Sequence, residues 1–181
     1  SESYRRKRRQ FVNQVTVAFG LHILKLSEEC DLRQGDVIKT VSYADVFRHQ
    51  QVPGADAIEF IDENVRRAGG KGFTIRDLSF DVDLADVFAT IKSAISPVIM
   101  DLCEIIGSFD CDLLVLSGRP SALPAVQATV LNFAPVAPDR VYPLSEYRVG
   151  KWYPYWSSGG RIRDPKTAVS VGAMLCLLSN G

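Results

Sequence analysis

Few stretches of this chain combine residue types and spacing that could do chemistry, and Ser117-Gly118-Arg119-Pro120-Ser121 is the first of them. It lies in LLVLSGRPSALPAVQ (113–127), where an apolar run ends in a glycine turn and a helix-like stretch follows. A glycine turn before a helix exposes unpaired backbone N–H groups at the positive end of the helix dipole. That favours a phosphate or a polar ligand edge, and Gly118 would let the ligand come close to the main chain. Arg119 offers a guanidinium fork suited to phosphate oxygens, or it could cap the turn or block close approach. The bare pattern is also the ordinary connector of an α/β unit.

Other chemistry-bearing residues are sparse. Gly69-Gly70-Lys71-Gly72 lacks the spacing and the Ser/Thr of a phosphate-cradling Walker loop and reads as a helix stop and turn. Asp81, Asp83 and Asp86 could suggest a metal cluster. No Gly-and-Glu calcium-loop pattern follows them, so acids favouring a helix N-terminus are the better reading, and no metal ligand is assigned. Two histidines, His22 and His49, leave little material for a His-rich metal site or a Ser-His-Asp triad, and no catalytic residue is assigned. Cys30, Cys103, Cys111 and Cys176 form no Cys-x-x-Cys pair and read as buried thiols of a reducing compartment, so a cytoplasmic location is expected.

Formal charge is zero, but Arg5, Arg6, Lys7, Arg8 and Arg9 against Glu2 give the first nine residues +4. Such a run is a solvated face, a helix start or an anion contact. No aromatic or glycine-rich pattern accompanies it, so nucleic acid is not an expected partner. The stretch EYRVGKWYPYWSSGGR (146–161) holds five aromatics and three basic residues. It reads either as a recognition surface for a protein partner, where Trp, Tyr and Arg are enriched, or as a long loop whose rings cover the core.

The elements that must position these residues follow from periodicity. At 181 residues and 46% hydrophobic, the chain suffices for one ordinary core. Phe11, Val15, Phe19, Ile23 and Leu26 predict a helix over 3–29, although alternation from Val15 to Ile23 keeps a strand there as a rival. A weak strand is expected from Asp36 to Tyr43 and a helix over 55–68. Phe73, Ile75, Leu78, Phe80 and Val82 suggest a strand pair or one bent strand. Leu84 to Ile106 marks a long amphipathic helix that Pro97 should kink. Residues 112–117 are, after Asp112, apolar on both alternating faces and predict a central, doubly covered strand. A helix over 122–133 follows, with Ser121 as its N-cap and Pro124 as its third residue. A short strand is expected at Val141-Tyr142. The last helix is expected to have Asp164 as N-cap and Pro165 first, with Ala168 to Leu178 apolar almost all round and hence buried. The run 11–26 is interrupted and too short for a bilayer, so no membrane span is expected. Alternation of helices and strands from 84 onward argues α/β, with a mixed sheet and flanking helices.

Two resemblances refine this. LSGRPSALP (116–124) resembles the adenosine-side motif of actin and DnaK-type chaperone ATPases, and DPKTAVSVGAML (164–175) resembles those chaperones' closing helix. Gly118 matches the first glycine of that motif, Ser121 its small hydroxyl residue and Pro124 its proline; Gly172 would permit close packing against the nucleotide-bearing strand. Arg119 stands in place of the second glycine, Pro120 where a serine or threonine is common, and Ala122 where the chaperones lay an arginine against adenine. Arg8 and Arg9 match nothing in the chaperones' basic adenosine-contacting helix.

A closer likeness comes from CDLLVLSGRPSALPAVQ, APDRVYPLSEYRVGKWYP and RIRDPKTAVSVGAMLC, which look like the C-terminal part of the SrfB virulence-factor family, whose members are much longer. The resemblances imply a partial actin-like, ribonuclease H-like ATPase lobe, with a peripheral, helix-rich subdomain at 1–80 and the later half of a core subdomain at 81–181. They imply that ATP with magnesium would bind only in the longer protein. There Ser117, Gly118, Arg119, Pro120 and Ser121 would contact the nucleotide, and the upstream part of the same protein would be the first partner. The fragment alone is expected to be inactive and free of cofactor. Its open sheet edge is expected to favour dimers or strand pairing between copies.

Overall fold

The computed structural model describes residues 2–32, 35, 37–156, 159–162 and 164–179. The part of the expected Asp36–Tyr43 strand that falls on Asp36 lies outside them. The chain divides into two compact units, residues 1–87 and 88–181.

In the first unit, α1 (Glu2–Phe11) and α2 (Val17–Glu29) are joined by a π-helical turn at Val12–Thr16, so the helix reading of 3–29 prevails over the strand. Apolar residues spaced strictly by four drift around a helix of 3.6 residues per turn. The wider turn, closed by the Val17 N–H donating to the Val12 carbonyl, absorbs that drift. Val15, Ala18 and Phe19 thereby enter the core.

The helix α4 (Ala55–Arg67) packs on α1, with Phe60 ring-to-ring at 5.3 Å from Tyr4 and 5.8 Å from Phe11. Outside these rings, Lys7 reaches Glu59 at 2.8 Å and Arg6 reaches Asp56 at 3.3 Å. The Gly54 N–H ahead of α4 donates to Gln14 Oε1 at 2.8 Å. At its far end Gly70 N–H donates to Val65 O and Gly69 N–H to Arg66 O, with Gly69 at φ +96°. This paired closure is a Schellman stop, as read from the glycines.

β1 (Ile38–Ser42) and β2 (Ser79–Asp83) pair antiparallel, with Thr40 opposite Asp81 and hydrogen-bonded to it at 2.7 Å. Ser42 caps the short helix α3 (Tyr43–Phe47), which the sequence reading missed. Of the alternating stretch 73–82 only 79–82 is strand, within β2. Asp62 accepts from Thr74 Oγ1 and from Ile75 N–H, which holds 75–77 in a 3-10 turn. Val41, Val46, Phe47, Ala57, Ile58, Ile75, Val82 and Leu84 complete this core. Asp83 accepts from Ala85 N–H at the start of α5 (Leu84–Gly107), the role expected of an acid there.

α5 runs on through Pro97. In the second unit, β3 (Leu114–Leu116) lies parallel to β4 (Val141–Pro143), with Val115 opposite Tyr142. The expected central, doubly covered strand is not what forms: among the described residues β3 pairs only with β4, and Leu113 and Val115 are exposed. The strands thus belong to two separate two-stranded sheets rather than one mixed sheet, because β2 leads straight into α5 after pairing with β1. The α/β class holds at the level of mixed helix and strand.

α6 (Pro124–Phe133) begins two residues later than expected, with Leu123 at the N-cap and Pro124 first. α7 (Thr167–Ser179) also starts late. Asp164 instead closes a turn, its carboxylate accepting from Lys166 N–H and its carbonyl from Thr167 N–H. The expectation that α7 is buried is overturned, since Val171 alone among its described residues is buried. The small core formed with Val149, Tyr153 and Ile162 reaches one face of the helix, and apolar residues elsewhere on it stay in solvent. A Cβ on Gly172 would meet nothing within 4 Å, so the expected close packing there is absent. Of the four cysteines only Cys103 is buried, its thiol pKa raised by desolvation, while Cys111 and Cys176 are exposed. No described helix is long and apolar enough to cross a membrane.

Candidate functional site

The turn at 117–121 sits at the carboxyl end of a parallel strand, where ligands of α/β proteins bind. Gly118 adopts φ +85° and ψ 161°, a conformation that is essentially glycine-only. The nearest atom to a Cβ placed there would be Pro120 Cδ at 3.9 Å, so the backbone is sterically accessible. Ser117 is exposed, and its hydroxyl lies 3.5 Å from the Pro165 carbonyl, linking the turn to the segment before α7. Arg119 and Pro120 are exposed at the start of a 3-10 turn that runs to Ala122.

Ser121 behaves differently from its four neighbours. It is 4% exposed, and both its hydroxyl (2.7 Å) and its N–H (3.1 Å) donate to the Gly118 carbonyl. Its own carbonyl accepts from Gln127 Nε2 at 2.9 Å. Ser121 is therefore the brace that locks the Gly118 conformation, not the N-cap of α6. Ser117, Gly118, Arg119 and Pro120 form the outward part of the turn, and Ser121 forms its floor.

The aromatic and basic stretch is also built rather than loose. Val149 N–H donates to Gly160 O at 2.8 Å and Ile162 N–H to Tyr147 O at 3.2 Å, pairing 147–149 antiparallel with 160–162. Val149, Tyr153 and Ile162 point inward, and the Tyr153 hydroxyl lies 2.7 Å from Thr167 Oγ1 on α7. Trp152 and Tyr155 each stand edge-on to Tyr153, at 5.6 and 6.3 Å between centroids. Tyr147, Trp152 and Tyr155 are more than half exposed. One aromatic of the five, Tyr153, covers the core; three others present themselves to solvent. Ser157 and Ser158 lie outside the described residues.

Within this pairing Arg148 stands directly opposite Arg161. The sequence reading counted both among the basic residues of 146–161 but had no means of pairing them. The signal was there in Gly150 and Gly160, which take φ +71° and +73° and flank the turn. Among the described residues no group of three or more His, Cys, Asp and Glu is placed to hold a metal ion, and Asp81 and Asp83 serve the strand pair and the helix start.

Comparison with curated proteins and with solved structures returned no match. A family model described as Virulence factor SrfB matches residues 1–181. The chain belongs to the SrfB family.

Proposed function

We propose that residues 117–121 form the adenosine-side wall of an ATP site in the longer SrfB protein, within a partial actin-like lobe whose later core half is 81–181. The observation that carries this reading is Gly118, held in a glycine-only conformation by Ser121 at the carboxyl end of β3. That arrangement keeps side-chain atoms away from the main chain where a sugar or phosphate edge would lie. Arg119 supplies the cation of the turn. Magnesium and the attacking water are assigned to no residue of this chain; acidic residues and glycine-rich loops of the other half would hold them.

Calorimetry of ATP-Mg against the longer protein tests the proposal, with heat and thermal stabilisation expected at millimolar nucleotide. Gly118→Val should abolish binding, and Arg119→Ala should weaken it without backbone strain. No heat and no thermal shift would end this reading.

The outward rings of Tyr147, Trp152 and Tyr155 favour a second one. Here the fold is a non-hydrolysing scaffold with a degenerate nucleotide site, and 146–161 docks a protein partner. Arg119 in place of a second glycine and Pro120, which lacks an N–H, fit this alternative. A longer protein that ignores ATP but loses a partner on Trp152→Ala would select it.

A further inference from the structure

The pairing of Arg148 with Arg161 sets the chemistry of whatever meets this surface. The hydrogen bonds run from Val149 N–H to Gly160 O and from Ile162 N–H to Tyr147 O, on either side of the pair. Arg148 and Arg161 are thus a non-hydrogen-bonded antiparallel pair, the kind whose side chains lie closest, with Cα atoms about 4.5 Å apart. Val149 and Ile162 are buried and the two arginines exposed, so strand alternation places both guanidinium groups on the outer face. Like charges directly opposite one another are destabilising. Among the described residues neither arginine has a carboxylate partner, although Arg6, Lys7, Arg48, Arg67 and Arg140 elsewhere do.

The immediate surroundings do not relieve the repulsion. Lys151 adds a third cation, and Glu146 is the one carboxylate among the described residues of 146–162. Between the two arginines along the chain lies Trp152, whose Cδ1 would be 3.9 Å from a Cβ on Gly150 and which is 61% exposed. Trp152 and Tyr155 both meet Tyr153 edge-on, and Tyr153 itself belongs to the core. Rigid aromatic and Arg groups of this kind carry most of the energy at protein interfaces.

We propose that this face docks an acidic protein segment. Its paired carboxylates bridge Arg148 and Arg161, and an adjacent apolar side chain packs on Trp152 and Tyr155. The inference rests on the second reading above and gives its partner a chemistry. Three cations among the described residues of 146–162 are few for a nucleic acid backbone, which protein contacts typically neutralise at about 6–10 phosphates. A carboxylate pair matches two guanidinium forks directly.

Trp152 and Trp156 are the only tryptophans, so tryptophan emission reports on this stretch alone. The 181-residue chain is titrated with a peptide alternating Glu and Leu, with its Lys-for-Glu counterpart, with a neutral Ser-for-Glu counterpart, with phosphatidylserine vesicles and with single-stranded oligothymidine. The expected result is a saturable fluorescence change with the acidic peptide alone, weakened at least tenfold by Arg148→Gln with Arg161→Gln and by Trp152→Ala. Arg161→Glu creates a cross-strand ion pair; it should raise the Tm of the free chain by about 1–3 °C while abolishing binding. A folded variant that cannot bind separates docking from stability. Equal binding by the wild type and the double Gln variant overturns the proposal, as does preference for vesicles or oligothymidine. Binding of the neutral or Lys peptide that is lost on Trp152→Ala overturns the acidic partner and leaves the docking reading standing. No response to any peptide overturns both.

Discussion

Gly118 and Gly172 are both glycines of the second unit, and their surroundings predict opposite responses to the same added methyl. At φ +85° and ψ 161°, Gly118 sits where an L side chain is strained whatever the space around it. Gly118→Ala should cost about 1–3 kcal/mol, read as a lower urea midpoint at unchanged slope. Gly172 lies inside α7 with nothing within 4 Å of its missing Cβ. Glycine in a helix interior is less favourable than alanine by about 0.8–1.0 kcal/mol. Gly172→Ala should therefore stabilise the chain and raise the Tm by about 2–4 °C. Destabilisation would show that α7 packs more closely at Gly172 than its open surroundings indicate.

Elements with long, strongly periodic patterns were legible, because a helix face repeated over several turns outweighs any local competitor. This holds for Leu84 to Gly107 and for Ala55 to Arg67, whose stop at Gly69-Gly70 was read from the glycines, while its paired hydrogen bonds came from the structure. Short elements were decided by single contacts that no periodicity encodes. Asp62 turned 75–77 out of the strand, and Ser121 bonded Gly118 instead of capping α6. The turn at 117–121 was found from its glycine, but the Arg148–Arg161 pair needs a long-range register. The α1–α4 contact shows a further link between an element and the solvent. Hydrogen bonding to the Lys7 ammonium holds Glu59 below the ordinary carboxylate value, and the same bond raises Lys7. A depressed Glu59 contributes stability above its unfolded pKa and loses it as pH falls through the folded one. A raised Lys7 contributes below its unfolded pKa and loses it as pH rises through the folded one. The pair is thus fully effective between about pH 5 and pH 10. Both groups meet solvent, so the effect is small and salt-sensitive. Glu59→Gln should lower the Tm slightly at pH 7 and by less at pH 3, below the ordinary carboxylate value, as followed by circular dichroism. A difference that persists undiminished at pH 3 would assign the effect to packing.

At the scale of the whole molecule, the second unit leaves large apolar side chains in water on both α7 and the β3–β4 ribbon. Val169, Leu177 and Leu178 on α7 are each more than 70% exposed, and Leu113, Val115 and Tyr142 stand exposed along the β3–β4 ribbon. A two-stranded sheet with open edges is marginal by itself, and open edges invite pairing with another chain. The apolar run of α7 was read as buried, and among the described residues only Val171 is. Self-association of the 181-residue chain is the physical consequence, since contiguous apolar patches of this kind mark association sites. Light scattering should show a mass that rises with concentration in the micromolar range. Leu177→Glu with Leu178→Glu should return a monomer, because a buried unpaired carboxylate is costly at any such interface. The substituted side chains are exposed, so the fold itself should survive, with an unchanged circular dichroism spectrum. Persistence of the oligomer in that variant would move the contact from α7 to the strand edge. There, Val115→Lys would place a charge on the exposed ribbon, the device by which edge strands resist pairing. A wild-type chain that stays monomeric at several hundred micromolar would refute self-association by either route.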